Sequence, residues 1–220
     1  MNRESPLAAG RGAYPSPLYA ILDPTQSRGR PLISILQDLL KGGSRLVQLR
    51  VKKMTSNEFF QLAREARHLT RQAGSLFIVN DRVDIALASE ADGVHLGQED
   101  LPLGIARKLM GDKIIGISTH DLAQAQEAER GGADYISFGP IFGTTTKDTG
   151  YSPRGLARLR EIRKAVKIPI VAIGGITEDE VAQVWEAGAD AAAIISDLMG
   201  AENVAEKVRR ILNLRMKNAE

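Results

Sequence analysis

The residues with the clearest chemical potential form a set of cations, carboxylates and hydroxyls spread through the chain. Gln48, Arg50 and Lys52 alternate with apolar Leu49 and Val51. In extended chain that alternation puts the three polar side chains on one side. Guanidinium and ammonium groups presented together suit a phosphorylated ligand. Carboxylates follow at Asp81, beside Asn80, and at Asp100, which ends Gly97-Gln-Glu-Asp100. Hard oxygen ligands in small number are what Mg2+ accepts, with water and phosphate filling its remaining positions. Hydroxyls stand at Ser118, Thr144, Thr146 and Ser196, with a further ammonium at Lys147. Gly174-Gly175 and Ile195-Ser196 supply backbone N–H groups that can approach a phosphate closely. Carboxylates and cations converging on one place would suggest a metal-bridged diphosphate rather than a simple anion.

Each of these residues also has an architectural reading. Asn80 and Asp81 can cap a helix starting near Arg82, Asp100 one at Leu101, and Ser118 the helix that follows it. Lys52 and Arg50 can be rim charges in solvent, and Thr144–Lys147 a polar turn. His95 ends an apolar run, where a hydrogen-bonded structural histidine is the commoner case. His68 and Trp185 fall within helical segments and read as packing or surface positions.

The elements that must position these residues alternate without interruption from Leu18 onward. Apolar runs of strand length occupy 18–22, 45–50, 76–80, 92–96, 113–118, 134–138, 169–173 and 190–195. Between and after them, helical patterns cover 31–41, 55–73, 82–89, 101–110, 122–130, 153–166, 178–187 and 201–214. Strands that are nearly all apolar belong to a parallel sheet buried on both faces. Eight strand–helix units in one 220-residue chain favour a closed α/β barrel, a single (β/α)8 TIM barrel, over an open sheet. In that fold every candidate above lies at a strand's C-terminal end or in the loop after it, where barrel active sites form. Two further features are architectural. Thr55-Ser-Asn-Glu58 and Thr177-Glu-Asp-Glu180 match the capping box. Gly-Ala-Asp recurs at 132–134 and 188–190, ahead of two strands.

Composition narrows the class. The chain has no cysteine, which excludes disulfides and thiolate chemistry, and its three histidines are too scattered for a zinc site. Net charge is +2 without a basic run interleaved with aromatics, so nucleic acid is not an expected partner. No apolar stretch reaches the roughly 20 residues that span a bilayer. Residues 1–17 read as a flexible extension without a secretory apolar core, 18–214 as the barrel and 215–220 as a tail. The expected setting is cytoplasmic, with small molecules as partners and a homo-oligomer left open.

Taken together, Gln48-Leu-Arg-Val-Lys52, Asn80-Asp81, Gly93-Val-His-Leu-Gly-Gln-Glu-Asp100, Gly116-Ile-Ser-Thr-His120, Gly139-Pro-Ile-Phe142, Thr144-Thr-Thr-Lys147 and Val171-Ala-Ile-Gly-Gly-Ile176 resemble the thiamine phosphate synthase family. The resemblance runs in order from Leu18 to about Leu214. It implies condensation of 4-amino-2-methyl-5-pyrimidinylmethyl diphosphate with a thiazole phosphate, releasing pyrophosphate with Mg2+ as cofactor. It further implies that Gln48, Arg50, Lys52, Asn80, Ser118 and Lys147 hold the pyrimidine diphosphate, with Arg50, Lys52, Ser118 and Lys147 as the catalytic group. Asp81 and Asp100 would bind the metal; Thr144, Thr146, Gly175, Ile195 and Ser196 would hold the thiazole phosphate. The related thiazole tautomerases have no diphosphate to neutralise, so Arg50, Lys52, Asp81, Asp100 and Lys147 argue against that activity. A non-catalytic precursor-binding protein is a further alternative, set against the same residues.

Overall fold

A computed structural model describes residues 14–143 and 150–217. Thr144, Thr146 and Lys147 lie outside the described residues. Among those described, eight parallel strands close into a barrel in chain order, each hydrogen-bonded to the next and β8 to β1. They are β1 (Leu18–Leu22), β2 (Leu46–Leu49), β3 (Leu76–Asn80), β4 (Gly93–Leu96), β5 (Ile114–Thr119), β6 (Tyr135–Phe138), β7 (Ile170–Ile173) and β8 (Ala191–Ile194). The helices α1 (Leu32–Gly42), α2 (Ser56–Gln72), α3 (Val83–Ala88), α4 (Leu103–Met110), α5 (Leu122–Arg130), α6 (Gly155–Ala165) and α7 (Val181–Glu186) link successive strands. After β8 come α8 (Ser196–Met199) and α9 (Val204–Lys217). The single α/β barrel expected from the alternation is therefore present. The four-residue α8 was not anticipated, because it is barely one turn long and shows no periodicity.

Alternation along the strands divides the apolar residues into two layers. One set, including Leu18, Ala20, Leu22, Val47, Leu49, Phe77 and Val79, faces the helices. The other, including Tyr19, Ile21, Leu46, Ile78, Ile114, Tyr135, Val171, Ala191 and Ala193, fills the barrel interior. Gly116 makes room for the Tyr135 ring, since a Cβ there would sit 2.0 Å from Tyr135 Cζ. Tyr14 packs edge-on against the same ring, centroids 6.1 Å apart. The chain entering β1 is anchored as well: the Trp185 indole donates to Pro17 O at 3.0 Å.

A repeated ion-pair device ties strand entries together. Asp92, Asp134 and Asp190 precede β4, β6 and β8. Their carboxylates accept the N–H groups of Phe77, Ile115 and Ile170, each at 2.8 Å. They also pair with Arg67, Arg107 and Arg163 on α2, α4 and α6, at 2.7, 2.6 and 2.9 Å. So the aspartates of Gly132-Ala-Asp134 and Gly188-Ala-Asp190 are structural, as their position at the N-terminal face of the barrel requires. The Thr55–Glu58 capping box also forms. Glu180 does reach back to Thr177 N and Oγ1, at 3.0 and 2.7 Å, but α7 begins only at Val181.

Removing one partner of a buried pair leaves an uncompensated charge, which costs about 3–5 kcal/mol. Asp134→Ala is accordingly expected to lower unfolding stability in urea by about 3 kcal/mol. Its distance from the barrel mouth should leave KM unchanged in the protein that remains folded.

Candidate active site

The strand ends enclose a cavity of about 290 Å³ at the C-terminal mouth of the barrel. Of the residues singled out by sequence, Gln48, Arg50, Asn80, Ser118, Gly175, Ile195 and Ser196 line it. Apolar Ile21, Val171, Ile173 and Ala193 complete the wall. Lys52, Asp81 and Asp100 do not line this cavity. They meet beside it, where Lys52 pairs with Asp81 and Asp81 faces Asp100. The sequence-predicted residues thus form a cavity and an adjoining charged rim.

None of the competing capping roles is taken up. The N-cap of α3 is Arg82, without a side-chain cap bond, and that of α4 is Pro102, also without one. Asp121, not Ser118, caps α5 by accepting from Gln124 N at 2.9 Å. Asp81 instead sits at φ +63, in the left-handed region that a non-glycine residue enters at a cost. The residue is held there by the bond from its N–H to His95 O, 2.8 Å long. Asp100 Oδ2 accepts from Gly97 N at 2.6 Å, which fixes its carboxylate against the loop after β4.

Among the described residues, the charges at this mouth do not cancel. Arg50 is paired with Asp23, a carboxylate at the end of β1 that is 2% exposed. Lys52 is paired with Asp81, yet its side chain is 46% exposed, so the pair is weak and its ammonium can turn toward a ligand. Among the described residues, two cations, Arg50 and Lys52, stand with three carboxylates, Asp23, Asp81 and Asp100, at the strand ends. Burial first, and the facing Asp81 carboxylate besides, hold the Asp100 carboxyl above its ordinary value, against the opposing Gly97 N–H. Among the described residues no group of three or more His, Asp or Glu side chains suits a metal. Asp81 and Asp100 could nonetheless hold a hard cation with water and phosphate as its other ligands.

At the opposite side of the cavity, Gly174 and Gly175 have φ values of +101 and +64. A Cβ on Gly175 would lie 2.3 Å from Gly143 O, so the turn after β7 and the loop after β6 press together only because that residue is glycine. The backbone pairs there directly, with Phe142 N donating to Gly174 O at 3.0 Å. His120 Nδ1 donates to Gly139 O, 2.7 Å away, and the ring stacks on Tyr151 with centroids 4.0 Å apart.

Sequence reasoning passed over two features. The first is Asp23, which follows β1 at the same rim and carries the same strand-end signal as the other candidates. The second is a buried polar chain across the barrel. Gln48 Nε2 donates to Tyr19 Oη at 2.9 Å, Tyr19 and Tyr135 hydroxyls are 2.8 Å apart, and Tyr135 Oη is 2.9 Å from His95 Nδ1. His95 Nε2 then meets Ser118 Oγ at 2.9 Å. Tyrosines inside apolar strands read as core, and nothing in the spacing signals that their hydroxyls meet.

Comparison with known proteins places this geometry in a family. Residues 18–198 match the family model for thiamine monophosphate synthase. A thiamine-phosphate synthase from Moorella thermoacetica is 50% identical over 195 residues, covering 88% of this chain and 93% of the relative. One from Chloroflexus aurantiacus is 47% identical over 194 residues, covering 88% and 90%. Among solved structures, a thiamine phosphate pyrophosphorylase from Pyrococcus furiosus superposes with a TM-score of 0.84 at 38% identity, covering 91% of this chain and 96% of that one.

The raised Asp100 carboxyl has a measurable consequence without any ligand. An Asp carboxyl raised above its unfolded value of about 3.9 carries no penalty while both states are protonated, and the full penalty above the folded value. Asp100→Asn removes that penalty and can keep the bond from Gly97. The variant is expected to melt at a higher temperature than wild type at pH 7 in metal-free buffer. That advantage should vanish as pH falls below about 4. A lower melting temperature at pH 7 would contradict the penalty on the ionised Asp100 carboxyl.

Proposed function

Because the chain belongs to the thiamine monophosphate synthase family, we propose that its barrel mouth joins 4-amino-2-methyl-5-pyrimidinylmethyl diphosphate to a thiazole phosphate, giving thiamine phosphate and pyrophosphate. It is an enzyme of the transferase class. The observation that carries the detailed reading is the meeting of Arg50, Lys52, Asp81 and Asp100 beside one cavity. Carboxylates standing beside the cations in this way suit a diphosphate when further positive charge, from Lys147 and a hard cation, joins them.

In this reading the C–O bond to the diphosphate breaks, and the leaving group departs with the electron pair. The electron-rich aminopyrimidine stabilises the methylene cation that remains. The lone pair of the thiazole nitrogen then forms the C–N bond at that carbon. Negative charge grows on the leaving diphosphate as the bond breaks, so donors already aimed at it lower the barrier. Arg50 and Lys52 are those donors, together with Lys147. Gln48, Asn80 and Ser118 hold the pyrimidine portion over the cavity floor. Asp81 and Asp100 would hold Mg2+, which supplies positive charge that polarises the phosphoryl oxygens. The backbone at Gly175, Ile195 and Ser196, with Thr144 and Thr146, receives the thiazole phosphate. No protein nucleophile enters, and the apolar wall of Ile21, Val171 and Ile173 limits water at the reacting carbon.

The test is pyrophosphate release by the purified protein. Release should need both substrates and Mg2+ together, and Arg50→Ala should lower kcat/KM by about 10²–10³-fold, the worth of a buried charge aimed at the transition state. Release from the folded wild type that is absent under all conditions would overturn the assignment.

A further inference from the structure

We propose that Tyr19, Tyr135 and His95 are positioning residues that fix the direction of the Ser118 hydroxyl, so that Ser118 donates its proton to an acceptor on the pyrimidine diphosphate. This deepens the reading above and rests on Ser118 facing that substrate. The argument is a count of protons along a buried line of hydrogen bonds. At the first link the Gln48 amide nitrogen donates to Tyr19 Oη, 2.9 Å away. Tyr19 has one hydroxyl proton, and its neighbour at 2.8 Å is Tyr135 Oη. Tyr135, having accepted from Tyr19, sends its own proton to His95 Nδ1 at 2.9 Å. An imidazole that accepts at Nδ1 carries its proton on Nε2. The Nε2–H then donates to Ser118 Oγ at 2.9 Å.

Ser118 Oγ is thereby an acceptor from within the protein, and Ser137 Oγ stands 3.5 Å away as a second, longer donor. The remaining capacity of Ser118 is its own proton, and the residue lines the cavity. Both tyrosine hydroxyls are held well above their ordinary range by burial, so neither ionises near neutrality to reverse the sequence. The opposite arrangement is concrete. A proton on Nδ1 would be given to Tyr135, and Nε2 would accept from Ser118 or from Ser137, which lies 3.3 Å away. Ser118 would then have spent its proton inside the barrel.

Long-range 1H–15N correlation spectra of the intact, histidine-labelled enzyme at pH 7 distinguish the two arrangements without any substrate. The His95 signal is assigned by losing the other two in His68→Gln and His120→Gln. The expected result is a neutral ring with the proton on Nε2. A ring protonated on Nδ1, or an imidazolium, would overturn the proposal. Turnover adds a second arm through Tyr135→Phe, which removes only the hydroxyl. Its kcat should fall about tenfold, roughly the worth of one hydrogen bond, while KM for the thiazole phosphate stays within about twofold. A folded Tyr135→Phe enzyme with wild-type kcat would also overturn it. If that variant does not fold, the wild-type spectrum still decides. A wild type that turns over no substrate would sink the functional reading and leave the tautomer result standing by itself.

Discussion

Among the described residues, three carboxylates and two cations at the mouth of the barrel are held in place by the rest of the structure. Asp23 is almost completely buried against Arg50, Asp81 is fixed by a left-handed backbone, and Asp100 is pinned by Gly97 N. Burial first, and the facing Asp81 carboxylate second, make the ionised Asp100 carboxyl unfavourable here. A protein gains nothing in stability from it. In the proposed function, a hard cation held by Asp81 and Asp100 would supply the positive charge that these side chains lack. The price in stability of such a site is an ordinary feature of active centres.

The fold accommodates this by separating its two ends. At the N-terminal face, aspartates 92, 134 and 190 are fully matched, each by an arginine and a strand N–H. At the C-terminal face, Asp81 and Asp100 face one another. The same side chain thus stabilises one end and serves binding at the other, and only the strand register decides which. Between them, the interior passes from apolar Leu46, Ile78 and Ile114 to the polar line that joins Gln48 to Ser118. That line crosses the barrel and links opposite walls of the cavity, so the wall residues do not settle independently.

Much of this was legible in the sequence because strands buried on both faces are apolar throughout, and polar residues at their ends stand out. Arg50, Asn80 and Ser118 were found on that contrast alone. Asp81 and Asp100 each matched a helix cap equally well; what separates the readings is backbone conformation, which spacing does not encode. Helix α8 was invisible because four residues cannot display a period. Asp23 carried the same strand-end signal as the others. The Tyr19–Tyr135–His95 line carried none, because aromatic residues in strands are usual core and their hydroxyl contacts depend on register across the barrel. Gly116, which opens space for Tyr135, likewise acquires its meaning only from the neighbouring strand.

The most direct test of the charge argument is calorimetric titration of the intact protein with inorganic pyrophosphate, with and without Mg2+. If the carboxylates at the mouth require a cation before they tolerate a diphosphate, each ligand must tighten the binding of the other by the same factor. The account predicts pyrophosphate binding at least tenfold tighter with Mg2+ present, and loss of that enhancement in Asp81→Asn. Equal affinity for pyrophosphate with and without Mg2+, in protein that is folded and monodisperse, would contradict it.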